Sequence, residues 1–130
     1  MRRCNPTAII IPSKQRIETR YRNGSTADIM RVIADADRQA DAHIDPDGVQ
    51  CLVGRNDYET ARNVWTFVKR NVRYRADRPG LEVVKSPRAL ITSGVGDCKS
   101  FSITEAAILR ALGFRNIRYR FAAYAPGDFT

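Results

Sequence analysis

The stretch that decides the fold is GVGDCKSFSITEAAILRALG, residues 94–113. Asp97 is a residue type favoured at a helix N-cap, and Gly113 is favoured just beyond a helix C-terminus. Between them, apolar side chains recur at helical spacing, and small or apolar neighbours widen that surface. These side chains are Phe101, Ala106, Ala107, Ile108, Leu109 and Leu112. The pattern predicts a buried helix over residues 97–112.

Two further helices are predicted upstream, at residues 25–44 and 57–73. Ser25-Thr26-Ala27-Asp28 has the spacing of a capping box, with Asp in place of the usual Glu. Each helix carries one apolar stripe at helical spacing. The stripe of the first is Ile29, Ile33, Ala36, Ala40 and Ile44, and that of the second is Tyr58, Ala61, Trp65, Val68 and Val72.

Alternation of apolar and basic residues predicts a half-buried strand at 116–124. A β-branched run between two prolines predicts a short strand or extended arm at 6–12. Residues 75–96, rich in Pro and Gly, are expected to form a long functional loop. The fold class is therefore α+β, with a three-helix cluster on a small antiparallel sheet. Residues 1–24 are interpreted as a basic N-terminal arm with a short strand, and residues 25–130 as the main domain.

Composition narrows the class of protein. The chain has 130 residues, about one domain, and 43% of them are hydrophobic, which disfavours disorder. We expect a cytoplasmic location and no membrane contact, since the sequence has neither a signal peptide nor an apolar stretch of about 18 residues. The net charge of +8 is compatible with acidic partners or nucleic acid, although we favour a solvated arginine-rich surface as its explanation. No zinc-finger spacing or phosphate-binding loop supports the nucleic-acid interpretation.

The cysteines and the one histidine limit the possible sites. Three cysteines are too few for a disulfide framework, so we expect Cys4 on a mobile terminus and Cys51 simply packed. His43 is expected at the surface or at a helix end. Aspartates at 41 and 45 would favour its charged form, a poor resting base. A metal site from Cys51, Cys98 and His43 lacks ligand spacing, and we predict no metal and no cofactor.

Cys98 is the candidate catalytic residue. It stands in the first turn of the predicted helix, where free N–H groups and the helix dipole stabilise a thiolate and would lower the thiol pKa. The N–H of Cys98 could donate to an oxyanion, and the glycines before it would let a substrate approach. Lys99 adds positive charge nearby. The alternative is a small buried residue that happens to begin a helix.

Residues 58–124 resemble the transglutaminase-like superfamily, which shares the papain-like Cys-His-Asp arrangement. Four segments match in the family's order, and the resemblance over residues 58–124 spans about half of the chain. They are the helix end at 64–74, Lys85-Ser86-Pro87-Arg88-Ala89-Leu90, Gly94-Val95-Gly96-Asp97-Cys98, and residues 106–113. The resemblance implies that Cys98 is the nucleophile of a cysteine protease, amidase or acyl transferase acting on peptide or protein amides.

The sequence departs from the family after the nucleophile. The family's histidine and acidic residue lie on later strands, but no histidine follows Cys98, and Asp128 comes too early to match the acidic member. We therefore expect a C-terminally incomplete nucleophile half that is inactive as it stands. Its unpaired strand edge would favour self-association. The alternative is a non-catalytic module of the same fold that binds an acidic partner, nucleic acid or a phage-type assembly.

Overall fold

The α+β class is confirmed. The computed structural model describes residues 4–11, 17–22, 26–120, 123–125 and 128–129. The helices in these ranges are α1 (Thr26–Ala40), α2 (Asp57–Asn71), α3 (Pro87–Ser93) and α4 (Cys98–Ala111), with 3-10 turns at Asp41–His43 and Gln50–Leu52. The strands are β1 (Glu18–Arg22), β2 (Arg73–Tyr74), β3 (Leu81–Lys85), β4 (Val95–Gly96), β5 (Ala123–Ala125) and β6 (Asp128–Phe129). The three predicted helices form within a few residues of their expected bounds, but Ser25 of the proposed capping box lies outside the described residues.

Helix α4 packs against the other three helices, as its apolar composition predicts. Ile103, Ala107 and Ile108 of α4 are fully buried. The predicted stripe of α1 is confirmed, because Ile33 and Ala40 are buried and its remaining members on the helix lie partly buried against the same core. Burial of these aliphatic side chains is the main stabilising contribution to this arrangement.

The predicted buried face of α2 is partly wrong. Val68 and Val72 are buried, but Tyr58 is 76% exposed and Trp65 is 52% exposed. The helix instead buries Thr60, Val64, Phe67 and Val68. Both sets fit a helical period, and the set that contains Val64 and Phe67 packs against the core. Because Thr60 is polar, the hydrophobic pattern of the sequence does not identify this set as the buried face.

The predicted long loop at 75–96 is also wrong, because β3, α3 and β4 lie within it. Helix α3 has clear local causes. The Ser86 hydroxyl accepts a hydrogen bond from the N–H of Ala89, and Pro87 occupies the first turn. Gly94 ends the helix with a φ of 70°, a left-handed conformation that favours glycine.

Strand pairing differs from the prediction at both ends of the chain. The strand of the first 24 residues is β1, which pairs antiparallel with β3 from Glu18↔Lys85 to Arg22↔Leu81. At 6–12, the described residues form a turn and one isolated bridge, Ile10↔Ile44, and Pro12 is not among them. The turn places Ile9 in the core at 0% exposure, so packing against the Ile44 segment replaces a strand ladder.

Residues 116–120 of the predicted strand at 116–124 form no strand, although their burial alternates as expected. Tyr119 points inward, packs against the core and donates its hydroxyl hydrogen bond to Asp37 on α1. No described strand lies alongside to complete a ladder, so side-chain contacts hold this segment. Residues 121–122 of the predicted strand lie outside the described residues, and residues 123–124 belong to β5, which pairs antiparallel with β6.

The expectation about the cysteines is wrong, because Cys4 and Cys51 form a disulfide across 47 residues. The bond ties the N-terminal segment to the Gln50–Leu52 turn. Disulfides persist mainly in oxidising compartments, so the cytoplasmic location stays an untested prediction. Among the described residues, no helix combines the length and apolarity needed to cross a bilayer.

Candidate functional site

Cys98 is the first residue of α4, as predicted. Asp97 is the N-cap, and its carboxylate accepts a hydrogen bond from the N–H of Lys99 at 3.1 Å. The side chain of Asp97 is buried, whereas Cys98 is half-buried. Because the other two cysteines are bonded to each other, Cys98 carries the free thiol of the chain. Cys98 is thus a partly exposed residue at the N-terminal end of α4.

The predicted fall in the thiol pKa is wrong, because the pKa of Cys98 is raised above its ordinary value. Burial is the largest cause, and the negative charge of Asp97 is the next. Lys99 and the N–H groups of Lys99 and Cys98 act in the opposite direction, as the helix argument expects, but they are outweighed. The resting sulfur at neutral pH is therefore a neutral thiol.

Lys99 does not offer free positive charge to the sulfur. Its ammonium contacts the carboxylates of Asp77 at 3.1 Å, Glu82 at 2.7 Å and Asp97, and its side chain is only 12% exposed. The three carboxylates lie within 4.8 Å of one another, a spacing that suits a metal ion, but the ammonium already contacts all three. Lys99 thus joins the N-cap of α4 to β3 and to the segment before it.

The charged groups in this cluster shift one another's pKa values. The pKa of Asp97 is raised to about 6, chiefly by burial and despite the contact with Lys99. The pKa of Asp77 is lowered despite a desolvation penalty, since the N–H of Val83 and Lys99 stabilise its charged form. The pKa of Lys99 is raised above its ordinary value because its carboxylate neighbours outweigh burial.

An aromatic pair lies beside the thiol. Tyr74 aligns with Gly96 in the parallel β2–β4 pair, two residues before Cys98. Its ring meets that of Phe101, one turn along α4, edge to face with 6.0 Å between ring centroids. Burial is the largest cause of the raised pKa of Tyr74, and the charge of Cys98 once its thiol ionises and the charge of Asp97 add to the rise. Tyr74 is 56% exposed, so the pair forms an accessible wall near the sulfur.

A cleft of about 350 Å³ opens on the side of Gly96 and Asp97. Basic side chains line it together with acidic ones; they are Arg20, Arg75, Arg78 and Lys85, with Glu18, Asp77 and Asp97. Gly96 has a packing role, because a Cβ there would lie 2.4 Å from Cδ1 of Leu90. The glycines before Cys98 therefore have structural causes, which differ from the substrate approach predicted above.

His43 lies at a helix end, as expected, but the surface expectation is wrong, since the residue is only 4% exposed. Two residues earlier, Asp41 pairs with Arg110 in the last turn of α4. Cys98 begins that helix twelve residues before Arg110, a distance of about 18 Å along the axis. His43 is thus near the opposite end of α4 and is not a base for Cys98.

The sequence reasoning missed Asp77 and Glu82, because both fell in the supposed loop. It also missed the disulfide, which leaves Cys51 without a free thiol for the metal site that the ligand spacing already failed to support. A usable signal was Ser86-Pro87, which marks the start of α3 and so divides the loop.

The comparisons with known proteins agree with the architecture. The family model described as the transglutaminase-like superfamily matches residues 51–127. That range includes α2, the Lys99 cluster and α4 with Cys98. No curated protein matches the chain. No solved structure matches it either. Since the family match covers more than half of the sequence, the chain belongs to the transglutaminase-like superfamily.

Proposed function

We propose that the chain provides the nucleophile of a transglutaminase-like cysteine enzyme that acts on amide bonds, with Cys98 as the catalytic residue. The observation that carries the proposal is a free, half-buried thiol at the capped first turn of α4, in a chain of this superfamily. A thiol at a helix N-terminus is a recurrent arrangement for covalent catalysis.

The proposed chemistry is acyl transfer. The Cys98 sulfur attacks the carbonyl carbon of an amide, a C–S bond forms, and the C–N bond then breaks. The thiol proton passes to a base and from that base to the departing amine. Water or a second amine then attacks the thioester, which returns the thiol and releases an acid or a new amide. The N–H of Cys98 is the proposed oxyanion donor.

The proposed mechanism requires a base that accepts the proton of the Cys98 thiol. The thiol is neutral at rest because burial and Asp97 raise its pKa. His43, the only histidine in the sequence, is near the other end of α4. For the 130-residue chain, the experiment therefore supplies the proton acceptor as a base in solution, either hydroxide or added imidazole. Acylation should accelerate both with pH and with imidazole concentration.

The test is capture of the acyl-enzyme. The protein is incubated with p-nitrophenyl acetate at several pH values, with and without imidazole, and its intact mass is measured. We expect one acetyl group on Cys98, formed faster with imidazole, and none at that site in Cys98→Ala. Acetylation confined to lysines, equal in the wild type and in Cys98→Ala, would overturn the proposal.

A second candidate is a non-catalytic module that retains the fold. The raised thiol pKa favours it, because an enzyme poised for catalysis normally lowers that pKa. The rate of the same acylation separates the two candidates, since a module without catalytic function acetylates Cys98 no faster than glutathione is acetylated at the same pH and imidazole concentration.

A further inference from the structure

The outer face of α2 carries exposed aromatic and basic side chains in alternation. Tyr58, Arg62, Trp65 and Lys69 stand at i, i+4, i+7 and i+11, so they form one stripe along the helix. All four are exposed. This stripe, here called the α2 stripe, lies opposite the residues that α2 buries in the core.

Packing of the core does not explain the two large aromatic rings on this surface. Tyr58 is 76% exposed and Trp65 is 52% exposed, so neither contributes its full apolar area to the core. The two residues are seven positions apart, which is about 10 Å along a helix. Rings at this separation can each present a face to a planar ligand group.

The charge around the rings is strongly positive. Residues 55–75 hold six basic and two acidic side chains. Arg55 pairs with Glu59, whereas Arg62 forms no ion pair with any residue that the structure describes. The Lys69 ammonium lies 4.5 Å from the centre of the Trp65 ring. The stripe therefore combines stacking surfaces with cations available to an anionic chain.

We propose that the α2 stripe binds single-stranded nucleic acid, with bases stacking on Trp65 and Tyr58 and phosphates contacting Arg62 and Lys69. Aromatic platforms beside cations are the recurrent solution for such ligands, because every base has a π-face and every linkage has a charge. An acidic protein would satisfy the cations but would leave the rings without planar partners. The inference requires no chemistry at Cys98 and is independent of the proposed enzyme.

Trp65 is the only tryptophan of the chain, so its fluorescence reports directly on the stripe. The full chain is titrated with a deoxythymidine oligonucleotide at low salt and, separately, with polyglutamate. We expect the oligonucleotide to quench Trp65 with saturation and polyglutamate to leave the emission unchanged. No quenching by the oligonucleotide, or equal quenching by polyglutamate, would overturn the proposal, and the second result would point to an acidic protein partner.

Variants separate stacking from charge, with affinities measured by anisotropy of a labelled oligonucleotide. Trp65→Ala should weaken binding by about fivefold or more, because a stacked base contributes about 1 kcal/mol or more. Arg62→Ala should weaken binding and lower the slope of log K against log salt by about 0.7, the value for one phosphate contact. Arg31→Ala on α1, exposed and basic but paired with Asp28 at 3.6 Å, is the control away from the stripe and should change neither quantity.

Because the altered side chains are exposed, these variants should keep the wild-type circular dichroism spectrum. Equal loss of affinity in Arg31→Ala and Arg62→Ala would contradict a defined stripe and indicate diffuse attraction by the net charge. Unchanged affinity in Trp65→Ala would contradict stacking.

Discussion

Replacement of Lys99 by methionine tests the charge cluster that supports the nucleophile. Lys99→Met keeps most of the side-chain length and removes only the ammonium. Asp77, Glu82 and Asp97 then remain beside one another with exposures of 18%, 30% and 6% and no cation between them. Removing one partner of a buried ion pair typically costs about 3–5 kcal/mol. Because domains have a total stability of about 5–15 kcal/mol, the loss is easily measured.

The loss should depend on pH. Without the ammonium, the pKa of Asp97, which burial already raises, moves further above its unfolded value, because the opposing contribution of Lys99 is lost. The folded state then binds more protons at Asp97 than the unfolded state does, so the stability of the variant falls as pH rises through the folded pKa of Asp97. Protonation at pH 5 relieves part of the repulsion. The deficit relative to wild type should be smaller at pH 5 than at pH 8.

The assay is urea unfolding followed by circular dichroism at both pH values. Lys69→Met is the matched control, because Lys69 is exposed and contacts the face of Trp65, an interaction of about 0.5–1 kcal/mol. A Lys99→Met deficit no larger than that of Lys69→Met, or one that is the same at pH 5 and pH 8, would refute the reasoning.

Three further predictions concern other parts of the molecule. Reduction of the Cys4–Cys51 disulfide should lower the free energy of unfolding by up to about 4 kcal/mol for a loop of this length, seen as a lower urea midpoint. The reductant should not change the urea midpoint of Cys4→Ser, which lacks the bond. Alkylation of Cys98 by iodoacetamide near pH 6 should be no faster than that of glutathione. At pH 8, where Asp97 is charged, Asp97→Asn should accelerate the alkylation by removing a negative charge while keeping a good N-cap, and unchanged kinetics would contradict the role of Asp97. Gly48→Ala should destabilise the fold by about 1–3 kcal/mol in urea titrations, because its Cβ would lie 2.0 Å from the carbonyl oxygen of Ala8; wild-type stability would exclude this contact.

Helix formation was predictable because its signals are local. Asp97 and Gly113 bracket α4, and its apolar spacing leaves one interpretation. The orientation of α2 was not predictable, since two faces share the same period and only tertiary packing selects Val64 and Phe67. The strand predictions were wrong for a related reason. The short run β3 becomes a strand because β1 pairs with it, whereas residues 116–120 alternate correctly but lack a partner.

The candidate site was predictable in position but not in its electrostatics. The Gly-Asp-Cys segment at 96–98 located the thiol at a helix start. The sign of the pKa shift depends on burial and on Asp97, which the sequence places beside Cys98 without revealing its desolvation. The disulfide was not foreseen because it depends on the N-terminal turn that brings Cys4 to Cys51.

The most direct measurement compares two reactions of the same sulfur. Acylation of Cys98 by p-nitrophenyl acetate passes through an oxyanion, whereas alkylation by iodoacetamide does not. An N–H donor at the oxyanion contributes about 10²–10³ in rate in established sites. We therefore predict that the ratio of the two rate constants exceeds that of glutathione by at least about tenfold. A ratio equal to that of glutathione would show an ordinary thiol and contradict an acyl-transfer site at Cys98.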